Sequence, residues 1–537
     1  MKRRLFTLLI LLVGLSCKCQ VKEGFGLFTD HDLYTSGENI LLKVFVPSNE
    51  LPGIVNVGLF NLKGMQVSAA FLEMTDRQAN GYIHLSDTLS SGCYFVRTTT
   101  RTSATQTVKE VYIANRFSGL SESGIFLRPT GVVPIFDVPI QTLQVEGIEK
   151  SYKRRENVHV TLRFSSELLS QTDGNLHVSI TRLTPGFNFS TFYTHAKPEF
   201  SRTVGNEGMI ISGTVTDAGT AKPFNNAIVF LTVPDSSPRF QYFNTAENGR
   251  FYFQLKNYFG EIPVVLQCFD PERKHELKIR LSNTENLLAS LPDFETIVFP
   301  PELREIVAKN VEAHNFSRIF SQLQLKEKPV AEAKAGKYPF YGVPTRVVYP
   351  KQFIDLVNFD EISRELLQGV RFRENNHVLT LQLFNFQRNK FFDEQPLILL
   401  NGIPVEDIQA IRNLGTKEID RIEECLSERF YGNLQFPGVI AIYTTKSDYS
   451  WLNESDSVLK LRLNAIEPPS ILNSPTDNNF KEPDLRRVLL WLPSLKPEPN
   501  MNIEFQTSDV RGRYKLEIRG MGRDGKFFYK ENFFEVN

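Results

Sequence analysis

The chain has 537 residues, enough for three to five domains that each bury a hydrophobic core. Its 61 Lys and Arg balance its 61 Asp and Glu, so no net charge attracts nucleic acid or an anionic membrane surface, and we expect no nucleic-acid partner. The 43 Phe and 17 Tyr favour half-buried pleated surfaces, which indicates a mainly β, multidomain chain.

Residues 1–20 have the pattern of a signal peptide. A basic start precedes an apolar run from Leu5 to Leu15, which is too short to span a bilayer. Gly14-Leu15-Ser16-Cys17 resembles a lipidation motif, although Gly14 stands where Leu is usual, so Cys17 is a lipidation candidate. The sequence therefore predicts export, with or without a lipid anchor at Cys17.

Residues 21–120 alternate between apolar and polar positions, as in "ENILLKVFV" and "IVNVGLF", with turn-forming residues between the runs. This rhythm predicts a β-sandwich. "YTSGENILLKVFV" from Tyr34 aligns with "YKRRENVHVTLRF" from Tyr152, 118 residues later. We infer a duplicated β-domain, with the second copy at 125–205.

Changes in the spacing of apolar residues predict the boundaries of the remaining modules. Alternation continues through 206–290 and predicts a third sandwich, whereas 300–349 reads as an amphipathic helix followed by a Pro/Lys/Ala-rich linker. Strand and helix patterns mix in 350–446, which predicts an α+β domain. A polar linker at 447–480 then leads to alternating C-terminal β-sandwich strands at 481–537.

Three modules carry residues specific enough to compare with known families. "D-x-x-x-Y-x-x-G-E" at Asp30–Glu38 resembles the early strands of macroglobulin-type (MG2-type) sandwiches. "GTVTD", "PFNNAIV" and "NGRFYF" in 206–290 resemble the carboxypeptidase regulatory-like domain, a transthyretin-like sandwich. The C-terminal strands resemble a further macroglobulin-like set.

The segment 396–446 resembles the plug domain of TonB-dependent outer-membrane receptors. The resemblance implies structural roles for eight residues: Pro396, Asn401, Gly402, Pro404, Glu423, Tyr431, Gly432 and Gly438. Asn401 stands where Asp is usual. Asn-Gly is a strong signal for a tight turn, and we favour a chain reversal over a ligand site at this position.

A receptor barrel would follow the plug and use about 10 residues for each of many strands. Only 91 residues follow Lys446, so we expect a plug-like domain without its barrel. The resemblance implies a Gram-negative envelope protein in the periplasm, the outer membrane or at the cell surface. Its partner would be a β-barrel, receptor or secretion component, and a lipid anchor or this partner would hold it at the membrane. The alternative is a macroglobulin-like surface or periplasmic protein that engages proteases or polymers.

No motif predicts an enzyme, a cofactor or a metal site. "GMGRDG" at 520–525 matches GxGxxG, but a strand pattern follows it where a dinucleotide site needs a helix. "DHD" at 30–32 suggests metal ligands, yet neighbouring strand residues face opposite sides, so a solvated turn or sheet edge is the preferred interpretation. The scattered thiols Cys93, Cys268 and Cys425 are expected to be buried singly, and Cys425 has no histidine nearby in sequence to activate it.

Overall fold

The structure is a computed structural model that describes residues 24–46, 53–100, 105–119, 125–129, 138–185, 191–195, 209–234, 239–256, 258–282, 294–298, 301–320, 325–327, 339–375, 378–446, 448–467, 470–472 and 482–537. Strands dominate these residues and form several separate sheets, which confirms the prediction of a mainly β, multidomain fold. The signal-peptide prediction at 1–20, with Cys17, lies outside the described residues.

The elements of the first half of the chain are β1 (Gly26–Thr29), β2 (Leu33–Thr35), β3 (Asn39–Phe45), β4 (Ile54–Phe60), β5 (Gln66–Thr75), β6 (Gln78–His84), β7 (Gly92–Thr99), β8 (Thr105–Ala114), β9 (Ile125–Pro129), β10 (Val138–Pro139), β11 (Leu143–Glu146), β12 (Ser151–Tyr152), β13 (Asn157–Phe164), α1 (Ser166–Gln171), β14 (Thr172–Arg182), β15 (Thr191–His195), β16 (Met209–Asp217), β17 (Ile228–Val233), β18 (Arg239–Asn244), β19 (Arg250–Leu255), β20 (Glu261–Phe269) and β21 (Leu277–Leu281).

The elements of the second half are β22 (Phe294–Val298), α2 (Pro301–Phe320), β23 (Leu325–Glu327), β24 (Arg346–Val348), a 3₁₀ turn (Pro350–Gln352), α3 (Phe359–Glu365), β25 (Val370–Asn375), β26 (Val378–Asn385), β27 (Lys390–Phe391), β28 (Leu397–Leu400), β29 (Ile403–Pro404), α4 (Gln409–Arg412), β30 (Ile419–Cys425), β31 (Arg429–Tyr431), β32 (Leu434–Phe436), β33 (Val439–Thr444), β34 (Val458–Asn464), β35 (Ser470–Leu472), β36 (Val488–Leu495), β37 (Asn500–Gln506), β38 (Gly512–Gly522) and β39 (Phe527–Val536).

The chain divides into two compact units that interleave along the sequence. Unit 1 takes its residues from 1–207, 285–328 and 467–537, and unit 2 from 208–284 and 329–466. Each unit is therefore assembled from segments that are distant in sequence. The first sandwich belongs to unit 1 and follows the path β1-β3-β6-β5-β4-β7-β8-β15, with β2 beside β8. Alternate residues of β3, such as Ile40 and Leu42, enter its core, because positions two apart share a face of a strand.

The second sandwich of unit 1 combines strands from both ends of the sequence. β14 lies between β36 and β38, while β13 lies between β11 and β37. Its core mixes Leu162 and Ile180 with Leu490, Phe505 and Phe534. The expected separation of a domain at 125–205 from strands at 481–537 is therefore wrong. Alternation identifies β14 as a strand, but it does not identify partners that lie some three hundred residues further along the chain.

Residues 191–195 also differ from their predicted place in the second sandwich. They form β15, which pairs with β8 of the first sandwich from Thr191↔Lys109 to His195↔Thr105. The amphipathic helix expected at the start of 300–349 is α2. Leu303 and Val307 of this helix pack on Leu33 and Tyr112 of the first sandwich, so its apolar stripe, at positions four apart, covers that surface.

Unit 2 contains a third sandwich, built from the sheets β19-β16-β21 and β18-β17-β20-β34. β34 pairs with β20 along its whole length, from Val458↔Gln267 to Asn464↔Glu261. The prediction of a polar linker across 447–480 is wrong over this strand. Without β34, the apolar strand β20 would lie at the edge of its sheet with unpaired backbone groups.

The second part of unit 2 is an α+β region at 339–446. Its central sheet has the order β24-β30-β33-β28-β29, and β28 and β33 run parallel with Leu397 opposite Val439. One face of this sheet carries the core formed by Ile398, Ile422 and Ile440 with the helical residues Phe359 and Ile362. A separate three-stranded sheet, β25-β26-β27, adds Leu381 and Leu383 to the same core.

Candidate binding surface

The Asn401-Gly402 pair forms the turn between β28 and β29. Both residues have positive φ, 51° and 81°, and the turn brings Leu400 opposite Ile403. The buried Asn401 side chain accepts the backbone N–H of Thr444 at 2.8 Å and donates to Asp448 O at 2.7 Å. Since asparagine can both donate and accept here, whereas a carboxylate can only accept, the arrangement explains Asn at a position where the plug resemblance leads one to expect Asp.

Pro396 and Pro404 are both buried at the ends of this strand pair. Pro404 contributes a carbonyl oxygen that accepts from Gln267 Nε2 of the third sandwich at 3.0 Å. The turn is therefore fixed from two sides, by the sheet of the α+β region and by the third sandwich. The polar groups of the turn therefore form hydrogen bonds within unit 2.

Glu423 lies on the face of β30 opposite the core of the α+β region. Its Oε2 accepts the Tyr341 hydroxyl at 2.6 Å, and its Oε1 accepts Arg421 Nε at 2.9 Å. The Tyr443 hydroxyl lies 3.1 Å from that of Tyr341. Burial raises the pKa of Tyr341, and Tyr443 and Glu423 raise it further, so this tyrosine remains a neutral donor.

The next residue, Glu424, points to the other face because successive strand residues alternate. Its carboxylate has no exposed surface and accepts two hydrogen bonds from Arg346, from Nε at 2.6 Å and from Nη2 at 3.1 Å. Burial raises the pKa of Glu424, while Arg346 opposes the shift. This ion pair joins the edge strand β24 to β30.

The hairpin β31–β32 carries Tyr431 and Gly432 to the third sandwich. The Tyr431 hydroxyl donates to Phe240 O at 3.0 Å. The Tyr242 hydroxyl donates to Asn433 Oδ1 at 2.6 Å, and the Asn433 amide donates back to it at 2.9 Å. Within unit 2, two of the residues that resemble a plug domain therefore form part of an intramolecular contact.

Aromatic rings fill the apolar part of this contact. The rings of Phe240 and Phe340 are stacked with centroids 4.4 Å apart, and the ring of Tyr431 lies 5.0 Å from that of Phe340. Phe230 and Leu434 complete the cluster. Together with the pairing of β20 and β34, it holds the third sandwich and the α+β region in one unit.

Gly438 marks a close approach before β33. Its φ is 158°, and a Cβ at this position would lie 2.5 Å from both Cys425 O and Leu383 Cδ1.

Cys425 itself is fully buried, and burial raises the pKa of its thiol. Burial also raises the pKa of Cys268, to about 12, and raises that of Cys93. Thiols in this state are poor nucleophiles.

The Asp30-His31-Asp32 motif is not the solvated turn that its sequence suggests. Asp30 and His31 are buried, and the Asp30 carboxylate accepts the Tyr34 hydroxyl at 2.8 Å and the Leu41 N–H at 2.8 Å. Asp32 pairs with Lys109 at 2.7 Å. Across the described part of the chain, no group of three or more His, Cys, Asp or Glu is arranged to hold a metal ion.

Sequence reasoning missed an exposed apolar segment at 343–357, at the start of the α+β region. Six of its side chains are exposed despite being large and apolar: Val343, Val347, Tyr349, Phe353, Ile354 and Val357. Ile354 and Val357 are 71% and 69% exposed. The sequence "VPTRVVYPKQFIDLV" contains the signal, since a dense apolar run that neither alternates nor has helical spacing cannot be buried on one face.

The edge strand β24 lies within this exposed segment. Among the described strands it pairs only with β30, through Arg346↔Glu424, Val347↔Glu423 and Val348↔Ile422. Val348 points into the core, and Val347 is on the opposite, more exposed side. Contiguous exposed apolar surface on a protein often marks an interaction site. None of the helices in the described ranges is long and apolar enough to cross a membrane.

No protein-family model and no curated protein matches the chain. Among solved structures, trypsin-activated alpha-2-macroglobulin from Escherichia coli is 11% identical with a TM-score of 0.24, over 96% of this chain and 41% of that one. Methylamine-reacted alpha-2-macroglobulin from Salmonella is 9% identical with a TM-score of 0.22, over 95% and 39%. The BSP domain of a biofilm-associated protein is 8% identical with a TM-score of 0.15, over 53% and 32%. The chain spans about two fifths of the two macroglobulins, and scores this low establish neither a shared fold nor a shared function.

Proposed function

We propose that this chain is a non-catalytic, macroglobulin-like binding protein of the cell envelope, and that unit 2 carries its binding surface. On this proposal the chain is exported, and it meets a protein partner in the periplasm or at the outer membrane. A lipid at Cys17 or the partner itself holds it at the membrane. Nucleic acid and cofactors have no part in this function.

The exposed segment 343–357 is the observation on which the proposal rests. Apolar side chains exposed to water cost free energy, about 25 cal/mol for each Å² that a partner could cover. Ile354 and Val357 are exposed, whereas the chain just before them is fixed to β30. The Arg346–Glu424 ion pair fixes β24, and the Tyr341–Glu423 hydrogen bond fixes the residues that precede β24. Because the backbone that carries these exposed apolar side chains is already fixed, less conformational entropy is lost when a partner binds.

Co-purification from detergent extracts tests this role. The tagged full chain is compared with the double variant Ile354→Ser and Val357→Ser, and with the control Phe117→Ser, which removes a side chain of unit 1 that is 73% exposed. We expect a partner that the wild type and the control retain and the double variant loses. Identical sets of retained proteins for all three chains would overturn the assignment of the surface.

The second candidate is a macroglobulin-like protein that engages proteases or polymers through its sandwiches. The tandem sandwiches of unit 1 favour it, because they provide two large β-sheet surfaces within one unit. Incubation with proteases followed by native and denaturing gels separates this candidate from the first. Retention of a protease after a single cleavage of the chain would support it, and degradation without retention would exclude it.

A further inference from the structure

Unit 1 contains a buried polar contact between its first and second sandwiches, which we call the joint. Lys43 on β3 has no exposed surface, and its Nζ donates to Gln78 Oε1 at 2.7 Å. Gln78 Nε2 in turn donates to Asn175 O of the second sandwich at 2.8 Å. A lysine with a neutral amide as its partner is an unusual group to enclose, because burial disfavours its charged form.

A histidine of the second sandwich occupies the same joint. His177 on β14 is 1% exposed, and its ring lies 4.3 Å from that of Trp491 between centroids. Its imidazole hydrogen-bonds to the backbone of Leu492, while within the described residues Nδ1 has no hydrogen-bond partner. Trp491 packs against Leu41 of the first sandwich, so the histidine lies at the contact itself.

The other charged groups at the joint form ion pairs with one another. On β38, Glu517 pairs with Arg519 at 2.6 Å and with Lys515 at 3.0 Å. At the margins, Arg77 pairs with Asp173 at 2.7 Å and Arg487 with Glu38 at 2.6 Å. In the described part of the chain, no carboxylate forms an ion pair with Lys43 or His177.

We propose that the joint is an acid-sensitive hinge, in which protonation of His177 opens the contact between the two sandwiches while each sandwich stays folded. A proton on Nδ1 would add a charge and a hydrogen-bond donor for which the closed joint provides no acceptor. The charges of Lys43 and Arg519 both disfavour a proton on His177, and the charge of Glu517 offsets them in part. Opening gives all of these groups access to water.

The pH range in which the joint opens follows from the pKa of His177 in the closed and the open joint. Burial, together with the charge of Lys43, lowers the pKa of His177 to about 3. An exposed histidine has a pKa of about 6.5, so the open joint binds the proton more readily. The closed joint is therefore favoured above about pH 6.5 and weakens as the pH falls towards 3.

Lys43 acts in a different range. Burial lowers its pKa to about 7, from about 10.5 for an exposed lysine. It therefore weakens the joint as the pH falls from about 10.5 to 7, and it is already charged below that value. The opening of the joint at acidic pH is therefore assigned to protonation of His177, and the positive charge of Lys43 increases its effect.

Trp491 provides a probe inside the joint. The chain has two tryptophans, so the full chain with Trp451→Phe leaves Trp491 as its single emitter. Its emission maximum and acrylamide quenching are followed from pH 8 to 3 beside far-UV circular dichroism. In this background the test variant is His177→Gln, and the matched control is His84→Gln, at an exposed histidine of β6.

We expect the emission to shift to the red below about pH 6 while the circular dichroism is retained. In His177→Gln this shift moves to lower pH by at least about one unit, and in His84→Gln it does not move. If His177→Gln fails to fold, Lys43→Met replaces it and is expected to move the shift in the same direction, because it removes the neighbouring positive charge. Identical profiles for the test and control variants would overturn the proposal, and so would loss of circular dichroism at the pH of the shift.

Discussion

At the scale of single residues, Gly432 and Gly342 form a natural pair for comparison. Both have left-handed backbone, with φ of 58° and 80°. A Cβ at Gly432 would collide with the Tyr242 hydroxyl, whereas one at Gly342 would meet no atom within 4 Å. We expect Gly342→Ala to lower the free energy of unfolding by about 1 kcal/mol, the cost of backbone strain.

For Gly432→Ala we expect a loss of about 2–4 kcal/mol, because displacement of Tyr242 adds to the same strain. Urea titration of the two variants measures the difference. If both substitutions cost the same, the contact between the hairpin β31–β32 and the third sandwich does not depend on close packing at Gly432.

The buried ion pair between Arg346 and Glu424 gives a second prediction at this scale. Arg346→Met leaves a carboxylate with no exposed surface without its partner, which costs about 3 kcal/mol in comparable buried pairs. Arg364→Met breaks the exposed pair with Glu365 and is expected to cost less than about 1 kcal/mol. Thermal unfolding at neutral pH distinguishes them, and a cost for Arg346→Met as small as that of the control would show that Glu424 does not depend on this ion pair.

At the scale of elements, β34 links the two parts of unit 2. Leu461 lies opposite Val264 of β20. A proline at position 461 cannot donate a backbone hydrogen bond and is disfavoured in a paired strand. We expect Leu461→Pro to separate β34 from β20 and to make the segment 448–467 sensitive to limited proteolysis.

Leu461→Thr is the control, since it keeps the backbone N–H and introduces a β-branched side chain, which suits a strand. It should retain the proteolysis pattern of the wild type. Cleavage of both variants at the same rate would mean that the side chain of Leu461, and not the strand pairing, protects this segment.

Some elements were predictable because their signals are local. Asn401-Gly402 between two apolar runs predicts a turn, and the structure has one between β28 and β29. The spacing of Leu303 and Val307 predicts the apolar stripe of α2. By contrast, β34 alternates in "VLKLRLN" and still looked like part of a linker, because polar residues surround it and its partner lies about two hundred residues earlier.

At the scale of the whole molecule, the order of modules along the sequence differs from their order in space. A reading in chain order predicts a string of separate domains. The second sandwich instead closes with strands from 488–536, and the third sandwich closes with a strand that follows the α+β region. Such pairings depend on which strand edges remain unpaired after the other strands have formed their sheet, and a local sequence pattern does not show which edges these are.

The same limit applies to the candidate surface. Local chemistry was sufficient to select the turn at Asn401 and Gly402, whereas Gly438 was selected only through the plug resemblance. It could not show that Tyr431 and Gly432 contact the third sandwich, nor that the segment 343–357 remains exposed. Exposure is a property of what packs around a side chain, so it emerges only from the assembled unit.

Site-specific photocrosslinking in intact cells tests the binding role of the segment 343–357 most directly. A photoreactive amino acid replaces Ile354 in the full chain or, as the control, Phe117 of unit 1, which is similarly exposed. We predict one discrete protein adduct from position 354 that is absent from position 117. No adduct at 354, or the same adducts from both positions, would contradict the assignment of this segment as the binding surface.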